Sequence, residues 1–353
     1  MAADPTSGAA LRGRLGAFRS HLQRWLFPVD RAKRSELSGW QRLGAGLGLL
    51  ALAIILQLLR IGPSDGLHSL WAEDGQIFFQ GAISMGFLHD LFETYAGYLV
   101  VVPRLVGEVG NLVPLHDAPA AIAIAAGAVV ALSGLAVWVG AAAHISDPYL
   151  RGSLVAVTIL TPVGGLESVA SGAYVPWYML FATFWLLLWR PTSTRSALLG
   201  SLFILATGLS SPGVWFFAPL ALLRGIAARD RRDWMIFGSW ALGAAIQVPV
   251  IALNSETAVQ PAWSNDIWTA FVQRVVDGAV FGGRVGGVAW AYLGWPFLIV
   301  LVGALLACLW VGVSRSTPTA RYLAAIAIPT SLVMFAASVY QRAVGAQVMW
   351  LAG

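Results

Sequence analysis

The chain has 353 residues, 58% of them hydrophobic and only 11% charged, with a mean hydropathy of +0.73. A soluble domain carries about 25% charged residues, so these values exclude an ordinary soluble enzyme. The 22 basic residues, all arginine except Lys33, exceed the 17 acidic ones to give +5, and the single cysteine, Cys308, excludes a disulfide framework or a multi-cysteine metal centre.

Residues 1–39 form a polar, basic segment. Leu11, Leu15, Phe18, Leu22 and Leu26 fall at helical spacing, with Arg12, Arg14, Arg19 and Arg24 mostly on other faces. This is the pattern of an amphipathic helix suited to an anionic membrane surface, ended by Pro28. A disordered basic tail that only sets topology is the other reading. A cleavable signal peptide is excluded, because the polar stretch is too long and no small-residue cleavage site follows the first apolar run.

Residues 40–353 read as a transmembrane domain. Apolar runs cover 43–59, 118–143, 150–162, 174–189, 196–209, 214–223, 234–253, 285–313 and 322–340. A membrane helix needs about 20 apolar residues, so the fold class expected is an all-α, polytopic helical bundle of roughly nine hydrophobic segments. The two runs flanking Ser210-Ser211-Pro212-Gly213 are too short to cross independently and read as a broken helix or a re-entrant hairpin. The chain stops in an apolar stretch at 347–353, as expected for a piece of a longer protein.

With the N-terminus in the cytoplasm and sides alternating, seventeen basic and six acidic residues fall inside, and five basic and eleven acidic residues outside. The basic asymmetry follows the positive-inside rule. The acidic asymmetry is not part of that rule. Seven of the outer acids lie in one loop, 62–117, which is too apolar to be fully solvated. Within it, 76–92 and 98–115 read as interfacial helices, with Pro103 in the first turn of the second. Arg104 and Glu108 are four apart on one face of that second helix.

The sharpest feature of the loop is Trp71-Ala72-Glu73-Asp74-Gly75, two carboxylates at the head of an amphipathic helix. A carboxyl group beside low-dielectric surface has a raised pKa, as a general base requires, whereas a helix N-terminus favours the charged form. Helix-terminal acids with no further role are the plain alternative. His89 and Asp90, with His68, are candidate ligands for a divalent metal, although their spacing matches no metal signature. Arg104, Arg284 and Arg342 are candidate phosphate holders, since a guanidinium matches phosphate bidentately. Glu167 lies in the next outer loop within reach of the same region. Trp263 and Trp268 are candidates for stacking on a sugar, against the general use of tryptophan as an interfacial belt. The glycine-rich run at 282–287 follows no strand, so a dinucleotide site is rejected.

The run Trp71-Ala72-Glu73-Asp74-Gly75-Gln76-Ile77-Phe78, with Tyr95-Ala96-Gly97-Tyr98 and Pro103-Arg104 downstream, resembles the GT-C superfamily of membrane glycosyltransferases, in a bacterial envelope-polysaccharide branch. The likeness covers about residues 70–105. It implies a polyprenyl-phosphate-linked sugar as donor, an envelope glycan or lipid hydroxyl as acceptor, and inversion at the anomeric carbon. It also implies Asp74 as general base with Glu73 second, interfacial helices that roof a cavity for the lipid-phosphate head, and a divalent metal in some members. Tyr98 joins Arg104, Arg284, Arg342 and Glu167 as a candidate substrate-binding residue. The expected location is a bacterial plasma membrane with the active face extracytoplasmic. The chain lacks the larger number of spans and the soluble outer domain of many members. Membrane lipids are expected partners and nucleic acid is not. A lipid or glycan transporter and a non-catalytic membrane partner are the alternative functions. Few ionisable residues fall at mid-membrane, which counts against ion coupling.

Overall fold

The computed structural model describes residues 16–28, 39–61, 67–71, 73–160, 169–254, 278–315 and some positions between 321 and 333. The described chain is helical apart from one two-stranded hairpin. Helix α1 covers 16–25 and α2 covers Gly39–Ile61. A single π-helical turn, Asp74–Phe79, runs into the short helix α3 (Gln80–Ser84). The chain is extended at Met85 and Gly86 before α4 (Phe87–Phe92). The single interfacial helix expected at 76–92 is therefore three shorter pieces.

The second expected interfacial helix is also revised. Residues 94–99 form a hairpin, β1 (Thr94–Tyr95) and β2 (Tyr98–Leu99), and α5 occupies only Val101–Asn111. Ala96 and Gly97 both have positive φ, +53° and +81°. That is the two-residue turn whose twist matches paired strands, and the glycine adopts it without steric cost.

Helix α6 (Ala118–Gly140) has no charged residue and carries Pro119 in its first turn, where the lost amide is unpaired anyway. It is followed by α7 (Pro148–Leu160), α8 (Val175–Leu188), α9 (Thr194–Gly208), α10 (Ala218–Ala227), α11 (Arg231–Leu253) and α12 (Gly278–Arg315). Ser193 and Ser196 form a reciprocal capping box that starts α9. The side chain of Asp230 accepts from the amides of Arg232 and Asp233 to start α11. Its carboxyl pKa is lowered, chiefly by the Arg232 guanidinium. Helix α12 continues through Gly294, with φ at +59°, and Pro296.

The Ser-Ser-Pro-Gly break resolves as a helical hairpin. Helix α9 ends at Gly208, the Ser211 hydroxyl accepts from the Gly213 amide, and Pro212–Phe217 makes a tight helical turn into α10. Arg224 near the end of α10 donates to the carbonyl of Leu187 at the end of α8, so α10 returns to the level from which α9 departs. Where α9 crosses α11, a Cβ on Gly208 would lie 2.9 Å from the Cα of Gly243. Small residues let these backbones touch.

Two apolar cores result. One joins α8, α9, α10 and α11, and the other joins α2, α5, α6, α7 and the start of α8. Leu22, Leu26 and Phe27 are buried in the first. Of the apolar stripe expected to face lipid, Leu22 and Leu26 thus pack into the chain's own core and Phe18 stays exposed, while Leu11 and Leu15 lie outside the described residues. Among the described residues, α6 and α11 are long and apolar enough to cross a membrane, and shorter apolar helices lie at 46–60, 148–160, 172–188, 212–227 and 292–307. Large apolar side chains are nevertheless exposed along α2, α6, α9, α10 and α11, for example Leu49, Ile124, Leu199, Leu222 and Leu242.

Candidate functional site

The motif carboxylates lie at one end of the bundle, under a roof built from the π-helical turn, α3, α4, the β-hairpin and α5. Asp74 is only 4% exposed. Its Oδ2 accepts from the Gly172 amide at 3.1 Å and its Oδ1 from the Ala173 amide at 2.9 Å. Burial raises its carboxyl pKa. The Ser171 hydroxyl and these two amides pull it back down, and neighbouring Glu73 adds a further upward push. A Cβ on Gly172 would sit 3.2 Å from Asp74 Oδ1 and 3.1 Å from Val106, so glycine lets the amide approach. In this arrangement Asp74 ties the roof to the segment that opens α8. The carboxylate expected as the general base is thus enclosed, with both oxygens bonded to backbone amides.

Glu73, next to it, is only partly buried. Its Oε1 accepts from the Tyr95 hydroxyl at 3.3 Å. The Tyr95 ring packs edge-on against Phe78, with centroids 5.8 Å apart. Tyr98 stands opposite Tyr95 in the hairpin register and is half-buried.

Arg104, expected to hold a phosphate or to pair with Glu108, is bonded instead to Asp90 and the Glu93 carbonyl. It is 2% exposed, and its Nη1 donates to Asp90 Oδ1 at 2.5 Å. Its Nε donates to the carbonyl of Glu93 at 2.9 Å, and its guanidinium lies 5.9 Å from the Phe78 ring centroid. Asp90 is fully buried. A Cβ on Gly81 would clash with both partners of the pair, at 2.1 Å from Asp90 Oδ1 and 2.8 Å from Arg104 Nη1. His89 is exposed and lies 3.6 Å from Glu93. One of the two proposed metal ligands is therefore solvated and the other is sealed in an ion pair, so they do not converge. Among the described residues no three histidine, cysteine, aspartate or glutamate side chains come together. His68 is exposed. Glu167, Arg342, Trp263 and Trp268, and the side chain of Arg284, lie outside the described residues.

The roof is held down by residues that the motif gives no reason to notice. Gln247 of α11 is fully buried. Its carboxamide accepts from the Leu99 amide at 3.1 Å and donates to the Leu99 carbonyl at 3.2 Å and the Gly208 carbonyl at 3.0 Å. It pairs with Leu99 as a neighbouring strand would. The first two amides of α5 are capped by the tip of the α9–α10 hairpin. Val101 donates to the Leu209 carbonyl at 3.2 Å and Val102 to the Ser210 hydroxyl at 2.9 Å. The sequence signal for Gln247 is a lone amide in an apolar span.

The opposite end of the bundle is rich in arginine. Asp233 receives Arg224 at 3.1 Å and Arg190 at 3.0 Å. Helix α1 docks beside them. Gln23 donates to the Ala227 carbonyl at 2.7 Å, Arg19 donates to the Ala228 carbonyl, and Phe27 lies under Arg224. These carbonyls end α10, so α1 supplies that helix's missing partners. No known protein family, curated protein or solved structure matches the chain.

Proposed function

We propose that the chain is a multi-pass membrane glycosyltransferase that moves a sugar from a polyprenyl-phosphate donor to an acceptor hydroxyl of an envelope glycan or lipid. The acidic roof lies at the extracytoplasmic face and the arginine-rich end in the cytoplasm. The sorting of charge between the two ends supports this orientation. The exposed apolar side chains along α2, α6, α9, α10 and α11 support immersion of the whole bundle in lipid, since a soluble protein rarely leaves such extended apolar surface in water.

The observation that carries the reading is the division of labour between the paired carboxylates. Glu73 is accessible and held by a phenol, so it takes the acceptor proton. Asp74 is buried and bonded to two backbone amides, so it fixes the turn from which Glu73 projects. A base within hydrogen-bond reach of the acceptor is worth about 10²–10⁴-fold in rate.

A second reading, a non-catalytic membrane partner, draws on the burial of Asp74. One experiment separates the two. The full chain is reconstituted in vesicles and given radiolabelled polyprenyl-phosphate-linked pentose and hexose, with envelope glycan from the producing cells as acceptor. Transfer is expected, with loss of about 10²-fold or more in Glu73→Gln. Transfer by Glu73→Gln equal to wild type removes the assignment of the base. The absence of transfer from either donor favours the non-catalytic reading.

A further inference from the structure

We propose that Tyr95 is a positioning residue for Glu73, a role that rests on the transferase reading above. The phenol does more than pack. Its hydroxyl donates to Glu73 Oε1 and leaves Oε2 as the oxygen to meet an acceptor hydroxyl. A carboxylate with two equivalent oxygens and a rotating side chain offers its proton-accepting oxygen in many directions. One fixed donor removes most of that freedom.

The donor is itself fixed from the bundle. Tyr95 sits on β1, beside the tight turn at Ala96 and Gly97. The returning strand ends at Leu99, whose amide and carbonyl are both held by Gln247 of α11. The ring is braced by Phe78 of the π-helical turn, the same turn that Glu73 precedes. The two ends of the hydrogen bond are thus held by different elements. Glu73 is held through Asp74 and the Gly172–Ala173 amides, and Tyr95 through the hairpin and α11. Preorganisation of this kind is what a supporting shell of side chains supplies to a reacting group.

The test uses the full chain in lipid vesicles. Infrared difference spectra of wild type against Glu73→Gln isolate the carboxylate stretch of Glu73. In Tyr95→Phe that band is expected to move, because a carboxylate oxygen that loses a donor changes its C–O bond order. A phenol that only packs against Phe78 leaves the band in place, and an unmoved band overturns the proposal. With the polyprenyl-phosphate pentose and hexose probes, Tyr95→Phe is expected to lower kcat about tenfold with KM unchanged, the effect of losing one hydrogen bond to a charged group. The variant keeps the ring, and an unchanged unfolding temperature shows that the fold is retained. Wild-type kcat in Tyr95→Phe beside an inactive Glu73→Gln overturns the positioning role and leaves the transferase reading standing. Full transfer by Glu73→Gln overturns Glu73 as the base, and the role of Tyr95 with it, whereas absence of transfer by the wild type overturns the transferase reading.

Discussion

At the scale of single residues, what each charged group touches decides its role more than its place in a motif does. Arg104 carries the motif signal of a phosphate ligand, yet Asp90 and the Glu93 carbonyl occupy it. Removing one partner of a buried pair leaves an uncompensated charge and costs about 3–5 kcal/mol, whereas replacing both with apolar groups is often neutral. Arg104→Met alone is therefore expected to lower the unfolding temperature sharply, and Arg104→Met with Asp90→Leu to recover most of the loss. Under the proposed transferase reading, a structural pair also regains transfer in the double variant, while a phosphate ligand stays inactive. His144, in the turn after α6, is a second residue whose surroundings set its behaviour. Burial against Trp185, with ring centroids 6.3 Å apart, lowers its pKa from 6.5 to about 4. The unfolded chain then binds a proton that the folded chain refuses. The stabilisation is complete above about pH 6.5 and is lost as pH falls towards 4. Thermal unfolding in detergent, measured between those values for wild type and His144→Leu, is expected to show a shallower pH dependence in the variant.

At the scale of elements, α1 is a strut rather than a free membrane float. Burial of Leu22, Leu26 and Phe27 contributes about 1.5–3 kcal/mol each, and the side-chain caps from Gln23 and Arg19 about 1 kcal/mol each. Deleting residues 1–28 is expected to lower the unfolding temperature and to speed proteolysis near Ala227 and Ala228. Gln23→Ala alone is expected to cost about 1 kcal/mol. Helices α2 and α6 to α12 were legible in the sequence because each contains an apolar run of helical length, most of them bounded by Pro, Gly or Ser. Ser210-Ser211-Pro212-Gly213 announced its break in the same way. The β-hairpin was not legible, because two-residue strands show no alternation and Tyr98 and Leu99 fall inside the helix expected over 98–115. The docking of α1 was hidden for a different reason. An apolar stripe shows that a face is buried, but not whether lipid or protein covers it. The motif carboxylates were visible, but the enclosure of Asp74 was not, since it depends on amides 98 and 99 residues away.

At the scale of the whole molecule, charge and contact are sorted by end. The acidic end carries the roof, and the basic end carries α1 and the Arg190–Asp233–Arg224 cluster. In a Cys308→Ser background, a cysteine placed at Leu88 is expected to react with an impermeant maleimide from outside intact cells. One placed at Arg231 is expected to react only after the membrane is opened, and the reverse pattern overturns the orientation. The two ends also share a property of timing. The bonds that fasten the first loop join Asp74 to residues 98 and 99 positions later, and those that fasten α1 span 204 and 209 positions. At about 5–20 residues per second, the first loop waits about 5–20 s for its partners and α1 about 10–40 s. During synthesis the stripe of α1 is therefore apolar surface with nothing to cover it. Sites for early chaperone or insertase contact are expected to concentrate on Leu22, Leu26 and Phe27, and that contact is released only when α10 has emerged.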